Sequence, residues 1–136
     1  MADTQKTLII LKPDAVQRKL VGEIVGRFEA KGLTISDMKL ATISRETAET
    51  HYGEHKGKPF YDSLVDFITG GPAVVLALEG PEAIKVARLM MGATKFTEAQ
   101  PGTIRGDYAH DLTANLVHGS DSPESAEREL KLFFGS

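Results

Sequence analysis

Apolar and polar positions alternate along the chain in a way that divides it into short strands and amphipathic helices. Residues 5–12 are apolar on both faces and predict a buried strand, which ends at Pro13. An apolar stripe at helical spacing predicts a helix over residues 15–31. Gly32 follows at the position where a helix C-terminus favours a residue with positive φ.

The alternation continues through the rest of the chain. The further predicted elements are strands over 33–43, 73–78 and 116–118 and helices over 45–52, 61–69, 82–91 and 123–134. Ser44 and Ser122 suit helix N-caps, and Pro81 suits the first turn of a helix. Residues 93–115 show no clean period, and a long irregular segment inside a compact domain is usually functional or disordered.

The order of these elements leaves the sheet topology open. Strands alternating with helices favour, taken alone, a doubly wound parallel sheet. An α/β sandwich with an antiparallel sheet fits the same order, because alternation specifies neither strand order nor strand direction. The 136 residues are 41% hydrophobic and contain no repeat or linker, so we expect a single domain over residues 1–136 with a substantial core.

Composition narrows the classes of function. The formal net charge of −3 gives no reason to expect a nucleic-acid partner. The absence of cysteine excludes disulfides, zinc–thiolate sites and thiol catalysis, and it fits a reducing cytoplasm. Residues 1–6 lack the pattern of a signal peptide, and the longest apolar runs are too short to span a bilayer. We therefore expect a cytoplasmic protein without a membrane partner.

Three basic residues occur in apolar surroundings and could bind phosphate. Lys12 ends the first strand, Arg88 lies on an apolar helical stripe, and Arg105 lies within the irregular segment. They could simply cover apolar surface with their stems while the charged ends reach water. They could also neutralise phosphate oxygens. Side chains would have to provide such a site, because residues 53–59 (G-E-H-K-G-K-P) fail the spacing of a phosphate-binding glycine loop.

Two further residues suggest acid–base or nucleophilic chemistry. Glu129 lies on the apolar stripe of the last helix. It is either at the edge of the stripe, solvated or paired with a nearby base, or it orients an imidazole. His118 ends a short apolar strand and is either structural or exposed, or a nucleophile and proton carrier. His51 and His55 have the spacing of a metal pair on a helix, but no third ligand is evident.

Several segments taken together resemble the nucleoside diphosphate kinase family. They are L-K-P-D-A-V-Q-R at 11–18, H-Y-G-E-H-K-G-K-P-F at 51–60, G-A-T at 92–94, P-G-T-I-R-G-D at 101–107, N-L-V-H-G-S-D at 115–121 and S-P-E-S-A-E-R-E-L at 122–130. The resemblance covers essentially the whole chain, and the segment containing His118 is its most specific part.

The resemblance implies a fold and an activity. The fold would be ferredoxin-like, an α+β sandwich with a four-stranded antiparallel sheet covered by helices, in place of the doubly wound parallel sheet. The activity would be Mg²⁺-dependent ping-pong transfer of a γ-phosphoryl group, mainly from ATP, to nucleoside diphosphates of any base and of either sugar. The nucleotide phosphates would hold the Mg²⁺, so no protein metal site is expected.

The resemblance also assigns roles to individual residues. His118 matches the nucleophile, which attacks through Nδ1, and Glu129 and Ser120 match residues that form hydrogen bonds near its ring. The residues that match the phosphate site are Lys12, Tyr52, His55, Arg88, Thr94 and Arg105. Lys12 and Asn115 match the ribose contacts, and Phe60 and Leu112 match the two sides of a slot for the base.

Assembly and alternative functions stay open on the sequence. Members of the family form hexamers, tetramers or dimers, and we expect a homo-oligomer, hexameric first and tetrameric second. Phe96 replaces a proline found in many relatives, and the sequence ends at Ser136 where many relatives continue, so the assembly is less specified than the chemistry. A phosphohistidine carrier would use His118 without the base slot, and a non-catalytic ferredoxin-like module would need neither.

Overall fold

The computed structural model describes residues 4–135. In chain order the elements are β1 (Thr4–Leu11), α1 (Pro13–Gln17), α2 (Val21–Lys31), β2 (Thr34–Ala41), α3 (Arg45–His51), α4 (Tyr61–Ile68), β3 (Ala73–Pro81), α5 (Ala83–Met91), α6 (Ile104–Tyr108), β4 (Val117–Gly119) and α7 (Pro123–Phe134). Single 3-10 turns occur at Gly53–His55 and Phe96–Glu98. Residues 1–3, part of the stretch predicted to lack a signal peptide, lie outside the described residues. Within residues 4–135, no helix combines the length and the apolar character needed to cross a membrane.

The four strands form one sheet in the order β2-β3-β1-β4, and every neighbouring pair is antiparallel. The doubly wound parallel sheet is therefore wrong, and the ferredoxin-like antiparallel sheet is confirmed. The two topologies share the same alternation of strands and helices along the chain. They differ only in strand direction and pairing, which depend on contacts between residues far apart in sequence.

Helices cover both faces of the sheet, which explains why β1 and β3 are apolar on both sides. Ile9 and Leu11 of β1 pack with α2 and α5, whereas Leu8 and Ile10 pack with α3, α4 and α7. All four side chains have no exposed surface. Strand β1 is thus central to two apolar layers, and its C-terminal end lies beside β4.

Several element boundaries differ from the predictions. The helix predicted over 15–31 is two helices, because the chain turns at Lys19, whose φ is 60°. Pro81 ends β3 by pairing with Thr4, so it does not lie in the first turn of α5. The segment 93–115, predicted to be irregular, contains α6 and the 3-10 turn Phe96–Glu98.

The predicted helix ends are confirmed where local chemistry determines them. Gly32 has a φ of 106° and ends α2. Ser44 caps α3 by accepting a hydrogen bond from the backbone N–H of Thr47, and Ser122 caps α7 by accepting one from Ser125. The caps fix the start of the two helices that carry His51 and Glu129.

Candidate active site

Strand β4 brings His118 to the edge of the sheet next to β1. His118 lies opposite Ile10 in the antiparallel register. The Arg88 side chain of α5 donates a hydrogen bond from Nη1 to the carbonyl oxygen of Gly119 at 3.1 Å. The backbone at Leu116 has a φ of 76°, which is unusual for a branched residue and marks a constrained turn directly before the strand.

The His118 ring is held by a buried carboxylate. Nε2 of His118 lies 3.0 Å from Oε1 of Glu129, and the Ser120 hydroxyl donates to the same oxygen at 2.7 Å. A carboxylate only accepts hydrogen bonds, so the proton of the neutral ring is assigned to Nε2. Nδ1 then carries the free lone pair, as a nucleophilic imidazole requires.

The surroundings keep the Glu129 carboxylate charged. Burial alone would raise its pKa, but the hydrogen bond and charge of His118, the hydrogen bond of Ser120 and the charge of His51 lower the pKa below its ordinary value. Tyr52 shows the opposite effect, since burial and the charge of Glu129 raise its pKa to about 12. The site therefore contains one buried anion that faces His118.

His51 belongs to this group, which sequence reasoning missed. Its ring meets the ring of His118 edge-on with 4.6 Å between centroids, and its Nδ1 lies 3.8 Å from Oε2 of Glu129. Burial, followed by the charge of His118, lowers the pKa of His51 to about 3, so the ring is neutral near pH 7. The sequence had suggested His51 only as half of a metal pair with His55, and its place before Tyr52 in H-Y-G-E-H was the other signal.

The group of possible metal ligands that the structure brings together contains His51 but not His55. The donor atoms of His51, His118 and Glu129 lie within 4.8 Å of one another. Two imidazoles and a carboxylate suit zinc rather than magnesium, which prefers oxygen ligands. The 3.0 Å contact between His118 and Glu129 is a hydrogen bond, so we interpret the group as a hydrogen-bonded cluster.

Lys12 and Arg105 both donate hydrogen bonds to Asn115 in the same site. Lys12 donates from Nζ to Oδ1 of Asn115 at 2.9 Å. The Arg105 guanidinium donates to the carbonyl oxygens of Asn115, Gly92 and Val117 at 3.3, 3.0 and 2.7 Å. Arg105 thereby joins the irregular segment to β4, and two of its five N–H groups are left for a ligand.

Burial makes these cations unusually receptive to an anion. It lowers the pKa of Lys12 to about 8, with the charge of Arg105 adding to the effect and Asp14 opposing it. Burial and the charge of Arg88 lower the pKa of Arg105 to about 10. Clustered, poorly solvated positive charges are stabilised when an anion such as a phosphate group binds between them.

These side chains line one cavity of about 570 Å³. The predicted site residues found in its lining are Lys12, Tyr52, His55, Phe60, Arg88, Thr94, Arg105, Leu112, Asn115, His118 and Glu129. Ser120 is fully buried and contacts Glu129 from outside this lining. Phe60 and Leu112 are 47% and 61% exposed, so two large apolar side chains of the lining are open to solvent.

The lining also contains polar residues that the sequence reasoning did not assign. Glu54, Asp121 and Arg128 are among them, and Nη2 of Arg128 lies 3.8 Å from Oε2 of Glu129. Asp121 ends the most specific segment and Arg128 precedes Glu129 in the last segment, so membership of these segments was the only signal for either. The lining contains three carboxylates, and of these His118 forms a hydrogen bond with Glu129 but not with Glu54 or Asp121.

A second cavity of about 650 Å³ shares Arg88 and Asp121 with the first. Its lining contains no histidine and no aromatic side chain, and it includes the exposed Leu89 of α5. Among the described residues, the combination of His118, a buried carboxylate and cationic side chains occurs in the smaller cavity. The smaller cavity is therefore the candidate active site.

Comparisons with known proteins identify the family of the chain. The family model described as nucleoside diphosphate kinase matches residues 5–136. A nucleoside diphosphate kinase of Carboxydothermus hydrogenoformans is 61% identical over 96% of this chain and 87% of its own length. One of Archaeoglobus fulgidus is 58% identical over 96% of this chain and 86% of its own length.

Solved structures give the same result at the level of the fold. A halophilic nucleoside diphosphate kinase from Halobacterium salinarum, in complex with CDP, matches with a TM-score of 0.96 and 48% identity. The match covers 98% of this chain and 90% of that one. Since the sequence and fold comparisons agree, this chain belongs to the nucleoside diphosphate kinase family and is an enzyme of that class.

Proposed function

We propose that this enzyme transfers the γ-phosphoryl group of a nucleoside triphosphate, mainly ATP, to a nucleoside diphosphate through phosphorylated His118. The observation that carries the proposal is the 3.0 Å contact between Nε2 of His118 and Glu129, inside a cavity lined by Lys12, Arg88 and Arg105. That contact leaves Nδ1 as the free nucleophile. The cationic lining suits the polyphosphate that the nucleophile would attack.

The proposed reaction has two displacement steps at phosphorus. In the first, the Nδ1 lone pair of His118 forms a bond to the γ-phosphorus while the bond to the bridging β,γ-oxygen breaks, and the diphosphate leaves with the electron pair. In the second, a β-phosphate oxygen of the acceptor attacks the same phosphorus and the N–P bond breaks. One site serves donor and acceptor in turn, which is the ping-pong sequence expected for a covalent intermediate.

Stabilisation of charge is the main task of the protein in such a transfer. The transition state of phosphoryl transfer spreads negative charge over the equatorial and leaving oxygens. Lys12, Arg88 and Arg105 line the cavity with positive charge, and His55 and Thr94 add possible donors. Tyr52 has a raised pKa, so its hydroxyl keeps its proton and can donate it in a hydrogen bond.

Magnesium fits this arrangement through the nucleotide rather than through a protein cage. The lining holds the carboxylates of Glu54, Asp121 and Glu129, of which Glu129 is committed to His118 and Ser120. Glu54 and Asp121 are free to accept hydrogen bonds from waters on a phosphate-bound ion. Bound Mg²⁺ would neutralise charge on the phosphate oxygens.

Broad tolerance for base and sugar follows from the residues proposed to bind the nucleoside. Phe60 and Leu112 offer exposed apolar surface to the face of a base, and every base has such a face. Asn115, paired with Lys12, would contact the ribose hydroxyls. A single missing 2′-hydroxyl removes one contact among several, so deoxyribonucleotides should also be accepted.

The proposal is tested by phosphoryl exchange with a panel of acceptors. We would follow transfer of labelled γ-phosphate from ATP to GDP, CDP and a deoxynucleoside diphosphate, in the presence and absence of Mg²⁺. Transfer to all acceptors, dependent on Mg²⁺ and lost in His118→Ala, is the expected result. A labelled protein that passes phosphate to no nucleotide would indicate a phosphohistidine carrier instead.

We further propose that residues 1–136 form one nucleoside diphosphate kinase domain that assembles as a homo-oligomer in the cytoplasm. Support for assembly comes from β2, an edge strand whose Met38 and Leu40 are 52% and 66% exposed. An unpaired edge with exposed apolar side chains is a common site of subunit contact. A hexamer stays the first expectation and a tetramer the second.

A further inference from the structure

We propose that His51 is a positioning residue for the phosphoryl transfer, donating from Nδ1 to Oε2 of Glu129 and so holding that carboxylate in place for His118. The inference rests on the proposed function, since it concerns the same nucleophile. It goes beyond it by assigning a role to a histidine that lies next to the reacting ring without being the group that takes up phosphate.

The two carboxylate oxygens of Glu129 have different neighbours. Oε1 accepts hydrogen bonds from His118 and Ser120 at 3.0 and 2.7 Å. On the other side of the carboxylate, Nδ1 of His51 and Nη2 of Arg128 each lie 3.8 Å from Oε2. The Arg128 side chain is 59% exposed and free to move, whereas that of His51 is 2% exposed. His51 is therefore the fixed neighbour of Oε2.

The surroundings of the His51 ring favour a proton on Nδ1. Burial, with the charge of His118, keeps its pKa low and the ring neutral, so it carries one proton on one of its two nitrogens. Nδ1 is buried and has no hydrogen-bond partner within residues 4–135. A bare lone pair there would face a buried carboxylate oxygen, and two acceptors would repel each other. A proton on Nδ1 turns that repulsion into attraction, at the small adjustment needed to shorten 3.8 Å to a hydrogen bond.

Three neighbouring rings fix the position of the His51 ring. His51 contacts the rings of Tyr52, His118 and Phe133 with centroid distances of 4.7, 4.6 and 5.4 Å. It is thus held from three sides while its edge faces the carboxylate. With Oε2 held by His51, Glu129 cannot rotate away from Nε2–H when Nδ1 of His118 gains or loses a phosphoryl group, and the reactive tautomer of His118 is preserved through both steps.

Two substitutions separate the hydrogen bond from the packing. His51→Asn places an amide N–H near the position of Nδ1 and keeps a donor for Glu129. His51→Phe keeps a ring against Tyr52, His118 and Phe133 but removes the donor. A role in packing alone predicts that Phe is the better replacement, whereas a positioning role predicts that Asn is.

The first measurement needs no variant. Nitrogen-15 NMR of the ligand-free wild type near neutral pH reports which ring nitrogen of each histidine carries the proton. We expect neutral His51 with its proton on Nδ1, and His118 with its proton on Nε2. A proton on Nε2 of His51, with Nδ1 bare, would overturn the proposal, and it would also leave Nδ1 free as a metal ligand.

The second measurement uses both variants, each checked for native fold by circular dichroism. In His51→Phe we expect His118 to populate both tautomers and the rate of phosphate uptake from ATP to fall between about 10- and 100-fold, with the KM for ATP little changed. His51→Asn should restore the single tautomer and most of the rate. An unchanged tautomer and rate in His51→Phe would sink the idea. Failure of the wild type to take up phosphate would instead refute the proposed function, and the tautomers would still decide the role of His51.

Discussion

Glu129 is the residue on which the proposed nucleophile, His118, depends most directly. Its carboxylate sits on the apolar face of α7, where an uncompensated charge would be unfavourable, and His118 and Ser120 provide the compensation. Its charge in turn favours the tautomer of His118 with Nδ1 free. The sequence showed an acid on an apolar stripe but could not show the partner, because His118 lies eleven positions away on another element.

Substituting Glu129 by Gln should therefore impair chemistry more than binding. The amide keeps the size of the side chain, loses the charge and can donate to Nε2, which would favour the wrong tautomer of His118. We expect the rate of His118 phosphorylation to fall about 100-fold, with little change in nucleotide affinity. Rapid-quench labelling with ATP measures the rate. Ser120→Ala, which removes one hydrogen bond and leaves the charge, should lower it by only about tenfold. Equal rates in Glu129→Gln and the wild type would contradict the role given to the carboxylate.

Lys12 gives a prediction about pH. Its pKa in the folded protein is about 8, lowered from 10.5 mainly by burial, so Lys12 is neutral in most molecules above about pH 8. A phosphate anion favours the charged form, so binding should raise the pKa and take up a proton. Affinity for ADP should therefore fall as the pH rises through about 8.

Calorimetry in two buffers of different ionisation enthalpy checks this proton uptake at a pH just above the pKa of Lys12. The heats of ADP binding should differ between the buffers for the wild type and agree for Lys12→Met. Burying charged Lys12 also lowers the free energy of unfolding. This loss of stability is fully present below about pH 8, and it is relieved as the pH rises from about 8 towards 10.5. Identical heats in both buffers for the wild type would contradict the account.

Among the secondary structure elements, α6 has the most demanding position. It lies in the segment where sequence reasoning saw no period, because five helical residues are too few to show one. It carries Arg105, whose guanidinium reaches three carbonyl oxygens, one of them Gly92 at the end of α5. Gly106 permits this packing, since a Cβ there would lie 1.8 Å from the carbonyl oxygen of Gln100.

Gly106→Ala should accordingly destabilise the protein and disturb the site together. The added methyl group must push α6 from Gln100, which we expect to lower the free energy of unfolding by about 2 kcal/mol or more and to weaken ADP binding. The matched control is Gly26→Ala, in α2, where a Cβ meets open space and helix propensity should raise the free energy of unfolding by about 1 kcal/mol. Urea denaturation measures both. A neutral Gly106→Ala would show that α6 is held less tightly than the contacts indicate.

Element boundaries show which local features the sequence specifies. Helix caps at Ser44, Ser122 and Gly32 were predictable because their chemistry involves neighbours within a few residues. The turn at Lys19 was not, because a positive φ is uncommon for lysine. The backbone N–H groups of Lys19 and Leu20 donate to the carbonyl oxygens of Val16 and Ala15, which ends α1 in this conformation. The strand at Pro81 depends on pairing with β1, far away in sequence.

For the protein as a whole, strand direction was the feature that composition and periodicity could not predict. The antiparallel order β2-β3-β1-β4 was expected only from the resemblance of the quoted segments to a known family. That order leaves β2 at an edge, with Met38 and Leu40 exposed. It also joins Lys12 and Asn115, 103 positions apart, at the other side of the sheet where β1 meets β4.

The exposed edge leads to the prediction about assembly. Light scattering should give a molar mass that is a multiple of the 14.7 kDa chain, with six copies as the first expectation. If β2 contributes to the contact, Leu40→Glu should reduce the multiple by placing a charge in an apolar interface. A monomer in solution at all concentrations would contradict a homo-oligomer.

The most direct test of the central claim is the intact mass of the protein after brief incubation with ATP and Mg²⁺. We would compare the wild type with His118→Ala and with His110→Ala, which removes an exposed histidine outside the cavity lining. The account predicts one added phosphoryl group on the wild type and on His110→Ala, removed by adding GDP, and none on His118→Ala. No added mass on the wild type, or equal labelling of His118→Ala, would contradict His118 as the nucleophile.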